Sequence, residues 1–275
     1  MATHEVRASG LEYLALATEL LQRARLADAE AGLWEAADLQ WWWRTPRRSD
    51  AVGHIFWIDD EGPVAGVVLT DWGRAWACDP IVVPGVSTVQ FPTVWARALE
   101  AINGLGLRAV EVLARDDDLE LQGLLAGAGF AADKYRSGIT WMHAPDRPNV
   151  AGLPEGFALV DRTGSTTSLH PMRGRSGDGV QARLMQCSLY DPELDLAVEA
   201  ADGSVAGYAL FWFDPVTEVG LLEPMRVEGA YQRRGLARAM LSAGLDRLAQ
   251  QGARRLKVGY ATDVARALYT GAGFR

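Results

Sequence analysis

The segment 221–241, LLEPMRVEGAYQRRGLARAML, concentrates residues that could do chemistry. A strand read over residues 219–227 runs into a turn and then a helix, with Gln232-Arg233-Arg234-Gly235-Leu236-Ala237 at the junction. A helix N-terminus offers unpaired backbone N–H groups and a partial positive charge, which together suit a phosphate group. A large side chain at Gly235 would stand between those amides and a phosphate oxygen, which gives glycine a physical reason there. Ala237 is likewise small, and Arg233, Arg234 and Arg238 add charge, each exposed term worth roughly 0.3–1 kcal/mol. The same Q-x-x-G-x-A spacing also fits a small-residue loop that merely turns into a helix. Just upstream, Pro224 removes a ladder donor from an otherwise good strand and so marks an edge or a bulge. A strand splayed there would leave backbone groups of Met225, Arg226 and Val227 free to pair with an amide-containing ligand.

The elements that must position this segment repeat. Gly127-Ala128-Gly129-Phe130 recurs as Gly271-Ala272-Gly273-Phe274, an offset of 144 at which Asp79-Pro80 meets Glu223-Pro224 and Val83 meets Val227. GPVAGVVL at 62–69 matches GSVAGYAL at 203–210 at an offset of 141. Three matches in register read as a tandem repeat of one domain. Each copy starts with a helical region (11–27 and 33–44, then 179–189). Antiparallel strands follow, the first at 53–58 or 194–199, and then helix, strand, short helix and final strand. That order is α/β (α+β), with two tandem domains, each a mixed, largely antiparallel sheet flanked by helices. Leu236, Met240, Leu241, Leu245 and Leu248 fall on one helical face, and Gly252 follows as a stop. The Pro- and Gly-bearing stretch 144–156 separates the copies, giving domains 1–144 and 156–275 with a linker at 145–155.

Composition narrows the class. The 275 residues carry a net charge of −8, which argues against a nucleic-acid binder. Residues 1–149 hold 21 acids and 13 bases, and residues 150–275 hold 14 of each, so the acidity belongs to the first copy. No run approaches the roughly 18 apolar residues of a membrane helix. Two cysteines, Cys78 and Cys187, make no disulfide framework, and the N-terminus lacks a signal pattern, so a reducing, cytoplasmic setting is expected.

The run RVEGAYQRRGLARAML resembles the acyl-CoA-binding signature of the GNAT superfamily of N-acyltransferases, and LKVGYATDVARALYTGAGF resembles that family's next strand and helix. The resemblance spans about 55 residues and implies a GNAT-like fold, acetyl-CoA as co-substrate and no metal. It assigns Met225, Arg226 and Val227 to the strand that meets pantetheine. It assigns Gln232, Arg233, Arg234, Gly235, Leu236, Ala237 and Arg238 to the pyrophosphate loop, and Tyr269 to the acid that protonates the departing thiolate. Thr262 stands where the family pattern has asparagine. The chemistry implied is acetyl transfer to the primary amine of a small molecule or peptide, with Glu223 as the base that removes the ammonium proton. Glu218 and Glu228 are weaker candidates, and a non-catalytic acyl-CoA sensor is the alternative. In the first copy Thr88, Gln90, Phe91, Pro92 and Leu125 replace Gln232, Arg234, Gly235, Leu236 and Tyr269, so that copy is expected to be degenerate and to bind no CoA. The second copy ends at Arg275, and is expected to lack the counterpart of a strand read over 134–143, leaving an edge open to pairing.

Other residues carry less. Trp41-Trp42-Trp43 cannot all face one core in a helix, so at least one should be exposed or interfacial. His4, His54, His143 and His170 show no metal spacing. Cys187 reads as a small buried residue and Asp116-Asp117-Asp118 as a helix cap. Asp191, Glu193 and Asp195 could attract a cationic acceptor, but a solvated acidic loop is the plainer reading.

Overall fold

The computed structural model describes residues 3–164 and 169–275. The chain divides into two units, one of residues 1–39 and 46–134, the other of residues 40–45 and 135–275.

In the first unit, strand β1 (His4–Ala8) precedes helix α1 (Gly10–Ala27), and helix α2 (Ala36–Trp43) follows. Strands β2 (His54–Asp59), β3 (Gly62–Asp71) and β4 (Trp76–Val82) come next, then α3 (Phe91–Gly104), β5 (Val110–Glu111) and α4 (Leu119–Gly127). The sheet order is β1-β2-β3-β4-β5. It is antiparallel up to β4 and parallel between β4 and β5, whose pairing stops at Ala77↔Glu111. Nine of the ten β3 residues are buried because both faces are covered. Ala65, Val67 and Leu69 share a core with Val94, Trp95 and Ala98 of α3, and the alternate residue Gly66 lies against Leu20 of α1. Asp118 caps α4 by accepting from the Leu121 N–H, as read from sequence.

The second unit begins with strand β6 (Gly138–His143) and β7 (Phe157–Val160), followed by the short helices α5 (Arg173–Ser176) and α6 (Val180–Leu184). Strands β8 (Asp195–Ala200), β9 (Val205–Asp214) and β10 (Val219–Val227) lead to α7 (Leu236–Gln251), β11 (Arg255–Tyr260) and α8 (Asp263–Gly271). The sheet order is β6-β11-β10-β9-β8-β7. Helix α7 lies directly on β9: an ideal Cβ at Gly244 would overlap the Phe211 ring, so glycine sets that spacing. Leu236, Met240, Leu241, Leu245 and Leu248 are all buried, and Gly252 ends the helix at φ 109°.

Two expectations need correction, and a third is narrowed. The strand at 138–143 pairs antiparallel with β11, from Arg255↔His143 to Tyr260↔Gly138, and Trp141 exchanges backbone hydrogen bonds with Arg275. The second sheet therefore has its closing strand, and the β11 edge is covered; among the described residues it is the first sheet that lacks one. Sequence order cannot reveal this, because pairing is not a local property. The stretch 144–156 accordingly lies inside the second unit, and the division falls between residues 134 and 135. All three of Trp41, Trp42 and Trp43 are buried, and this part of α2 belongs to the second unit. Arg44 lies 3.5 Å over the Trp41 ring and Arg183 3.5 Å over Trp43, whose Nε1 donates to Gln186 Oε1, so cations and an amide cover faces that an apolar core would not.

Candidate active site

The site forms where two parallel strands part. β10 and β11 pair from Val219↔Arg255 to Leu222↔Val258 and no further. On its other side β10 shifts register between Leu222 and Met225, then resumes with Met225↔Ala209, Arg226↔Tyr208 and Val227↔Gly207. Of the edge or bulge expected at Pro224 the structure has the bulge, and among the described residues the β11-facing edge of residues 225–227 has no strand partner. Trp212, fully buried, donates from Nε1 to the Glu223 carbonyl at 2.8 Å and fixes the backbone at the bulge. Nothing in the spacing of the sequence marks that contact.

At the far end of β10 the chain turns into α7. Arg233 (φ 64°) and Gly235 (φ 84°) both take left-handed backbone, so glycine at 235 answers a conformational demand as well as a steric one. An ideal Cβ on Gly235 meets nothing within 4 Å, which leaves open space before the helix. No side chain caps α7 and its first turn holds no acid, so its leading N–H groups are open to an anion. The Gln232 amide donates to the Val227 carbonyl at 3.2 Å, tying the loop to the strand. Arg234 donates to the Ala230 carbonyl and lies near the Tyr231 and Phe157 rings. Leu236 is buried beneath the loop; Ala237 is half-buried, and Arg233 and Arg238 are exposed. This set of donors, charges and free space fits a pyrophosphate.

Tyr269 is the one buried residue of α8, its ring edge-on to Phe274. Burial raises its pKa to about 12, with the negative charge of Glu223 as the second cause. Helix and strand thus bring the two candidate catalytic groups into electrostatic contact. The phenol stays protonated throughout neutral pH and is a hydrogen-bond donor there. Glu223 is half-buried. Arg226, a possible partner for it, instead pairs with Glu228 at 3.5 Å. Glu228 is also held by Arg175, which lowers its pKa, and Glu218 pairs with Arg254 at 2.9 Å, so both weaker candidates are spent in surface pairs. Thr262 caps α8 by accepting from the Ala265 N–H.

The first unit's counterpart differs at the helix start. Gln90, with φ −89°, precedes α3, and the helix opens with Phe91 and Pro92, the latter without an N–H. Elsewhere His54 is buried, stacks on Tyr13 and has its pKa lowered to about 4 by desolvation. Cys187 is buried, as expected. Asp195 corrects the reading of a solvated loop: it is fully buried, accepting from Tyr190 Oη at 2.9 Å and lying 2.9 Å from His170 Nε2. Among the described residues no three His, Cys, Asp or Glu side chains group as metal ligands. No helix among them is long and apolar enough to cross a membrane.

Residues 170–274 match the acetyltransferase (GNAT) family. A mycothiol acetyltransferase from Clavibacter michiganensis subsp. michiganensis is 31% identical over 189 residues, 66% of this chain and 55% of the relative. The chain thus spans about half the length of that curated relative. Two solved structures share the fold. A tandem GNAT protein from the clavulanic acid biosynthesis pathway has a TM-score of 0.68 at 15% identity, over 99% of this chain and 95% of the other. A GCN5-related N-acetyltransferase from Sphaerobacter thermophilus has a TM-score of 0.62 at 18% identity, over 99% and 92%.

Proposed function

We infer that this chain, a tandem GNAT-fold protein whose residues 170–274 belong to the acetyltransferase (GNAT) family, transfers an acetyl group from acetyl-CoA to the primary amine of a small molecule or peptide. The observation that carries the reading is the convergence of three features on one opening: the parted strands, the uncapped start of α7, and the Glu223–Tyr269 pair.

Acetyl-CoA would supply an activated thioester. Its pyrophosphate would lie on the leading amides of α7 with Arg233, Arg234 and Arg238 around it, and its pantetheine amides along Met225, Arg226 and Val227. Gln232 and Thr262 serve by holding the loop and α8 in place. An alkyl ammonium with a pKa near 10.4 must lose a proton before it can attack. Glu223 accepts that proton, directly or through one water. As the nitrogen–carbon bond forms and the carbon–sulfur bond breaks, Tyr269 donates its hydroxyl hydrogen to the departing sulfur, and the second proton that the acylated nitrogen sheds restores the phenol. With its pKa near 12, Tyr269 does this best as a hydrogen bond that tightens as negative charge grows on sulfur. Alignment of the two substrates can contribute roughly 7–11 kcal/mol.

The sensor alternative drew on the absent closing strand and on Thr262. The strand is supplied by β6 and Thr262 has a capping role, so neither favours it. The test is free-thiol release from acetyl-CoA across an amine panel that includes the acceptor of the mycothiol acetyltransferase relative. Release that depends on one amine is expected; binding of acetyl-CoA without turnover on any amine would favour the sensor.

A further inference from the structure

The first unit carries a charge pattern that no step of the reaction above uses. It holds 20 acids against 10 lysines and arginines, yet four of those arginines, Arg47, Arg48, Arg74 and Arg108, gather at one end of its sheet. That is the end at which the parallel strands β4 and β5 begin, where the Trp76 N–H donates to the Ala109 carbonyl at 2.9 Å. It is the opposite end from the one at which the strands part.

Between the β3–β4 turn (72–75) and the loop before β5 (105–109) lies an open cleft of about 470 Å³. That volume is in the range of small-molecule sites, roughly 300–1,000 Å³. Arg48, Arg74 and Arg108 line it together with Trp76, Leu105 and Leu107, and among the described residues no acid does.

The partners of these cations decide the ligand's sign and charge. Arg48 pairs with the buried Asp71 at 2.6 Å and lies 5.7 Å over the Trp76 ring. Arg47, outside the cleft, lies 4.1 Å over Trp72 and donates to the Asp71 carbonyl. Arg74 and Arg108 are exposed, and among the described residues neither has an ion pair or a hydrogen bond. Asp79 cannot offset them, being enclosed: its Oδ1 accepts from Trp34 Nε1 at 2.8 Å and its Oδ2 is buried with no hydrogen-bond partner. The equivalent loops of the second unit neutralise themselves, because Glu218 in the β9–β10 turn pairs with Arg254 in the loop before β11 at 2.9 Å. In the first unit both loops carry a cation instead, and two positive charges are left over.

We propose that this cleft binds a small organic phosphate monoester, its dianion held between the Arg74 and Arg108 guanidiniums and its apolar body against Trp76, Leu105 and Leu107. Each guanidinium presents a fork of N–H donors that matches two phosphate oxygens. A monoester carries a charge of about −1.5 to −2 at neutral pH, which two unpaired arginines balance. Leu105, 45% exposed, is covered when the site fills. The proposal does not rest on acetyl transfer by the second unit.

The test is isothermal titration of the full chain, at neutral pH and low ionic strength, with three probes. Phenyl phosphate carries both the ring and the dianion, benzoate has the ring with a single charge, and inorganic phosphate has the charge without the ring. Saturable binding of phenyl phosphate is expected, at least tenfold tighter than benzoate and at least threefold tighter than inorganic phosphate. Arg74→Gln combined with Arg108→Gln changes two exposed side chains without partners, so the fold is retained, and should weaken phenyl phosphate at least thirtyfold. Arg233→Gln combined with Arg234→Gln, in the second unit, should leave that binding event within twofold. The reverse pattern would place the anion at the start of α7 and overturn the proposal. So would equal affinity for phenyl phosphate and either control, or no saturation in the millimolar range. Because heat and not thiol release is read, a chain that binds phenyl phosphate here without acetylating anything still supports it.

Discussion

Replacing Asp79 by asparagine should change how the stability of the first unit depends on pH. Burial, reinforced by Asp38 and opposed by the Trp34 hydrogen bond, raises the Asp79 pKa from 3.8 to about 6. Between those values the folded state keeps a proton that the unfolded state has lost. Stability therefore falls as pH rises through this window and is flat above it. The gap amounts to about 3 kcal/mol, of which about 2 kcal/mol falls between pH 4.5 and 7.5. Asparagine does not titrate. It leaves amide hydrogens unpaired where Oδ2 was, a penalty of about 1–3 kcal/mol that is the same at every pH. The absolute effect of the substitution thus mixes two terms, while its pH dependence isolates one. Amide hydrogen exchange in β3 and β4, corrected for intrinsic rates, reads this unit alone. The variant should gain about 2 kcal/mol relative to the wild type between pH 4.5 and 7.5. A difference that is flat across that range, or of opposite sign, would refute the burial of an uncompensated carboxylate at Asp79.

Tyr269→Phe removes only the hydroxyl from a buried ring and should lower kcat by roughly 10²–10⁴ with the KM for acetyl-CoA nearly unchanged; steady-state kinetics check this, and unchanged turnover would leave Tyr269 as a packing residue. Gly235→Asn keeps a residue type that tolerates left-handed backbone but puts a side chain into the open space before α7, so the KM for acetyl-CoA should rise at least tenfold at little expense in thermal stability. Gly244→Ala forces a methyl into the Phe211 ring and should destabilise the second unit by about 1–3 kcal/mol, seen as a lower unfolding midpoint in urea.

What was legible in the sequence was local. The strand Val219–Val227, the helix start at Leu236 and the stop at Gly252 follow from periodicity and from single glycines and prolines. The repeat placed Asp79 opposite Glu223 before either had a structure. Strands β1 and β7 escaped notice because HEVRA and FALV are too short to show alternation. The burial of all three of Trp41, Trp42 and Trp43 is not legible in the sequence, because the fold places the Arg44 and Arg183 guanidiniums that lie over two of the rings. Asp195 looked solvated because its partners, His170 and Tyr190, are brought to it only by the fold.

The two copies share the dipeptide acid-proline and put it to different ends through a single residue of phase. The Val83 N–H donates to the Val64 carbonyl, so by alternation Ile81 and Asp79 also face β3 while Pro80 turns its nitrogen to the open β5 side. A missing donor there breaks nothing, and β4 keeps its register through Val67↔Pro80 and Val68↔Asp79. In the second copy the Glu228 N–H donates to the Ala206 carbonyl, and the same alternation would point residue 224 at β9. Proline has no hydrogen to give, so the ladder breaks between Leu222 and Met225. Glu223 is thereby lifted out of the ladder to the mouth of the parted strands, half-buried and within electrostatic reach of Tyr269. Asp79 stays in the ladder and is enclosed. A carboxylate at a bulged, part-solvated position can pass a proton to water, whereas one held in a closed sheet can chiefly receive a hydrogen bond. The different settings of the two carboxylates thus follow from which edge of the strand the proline nitrogen faces, and Phe91 and Pro92 at the start of α3 add a second difference between the copies.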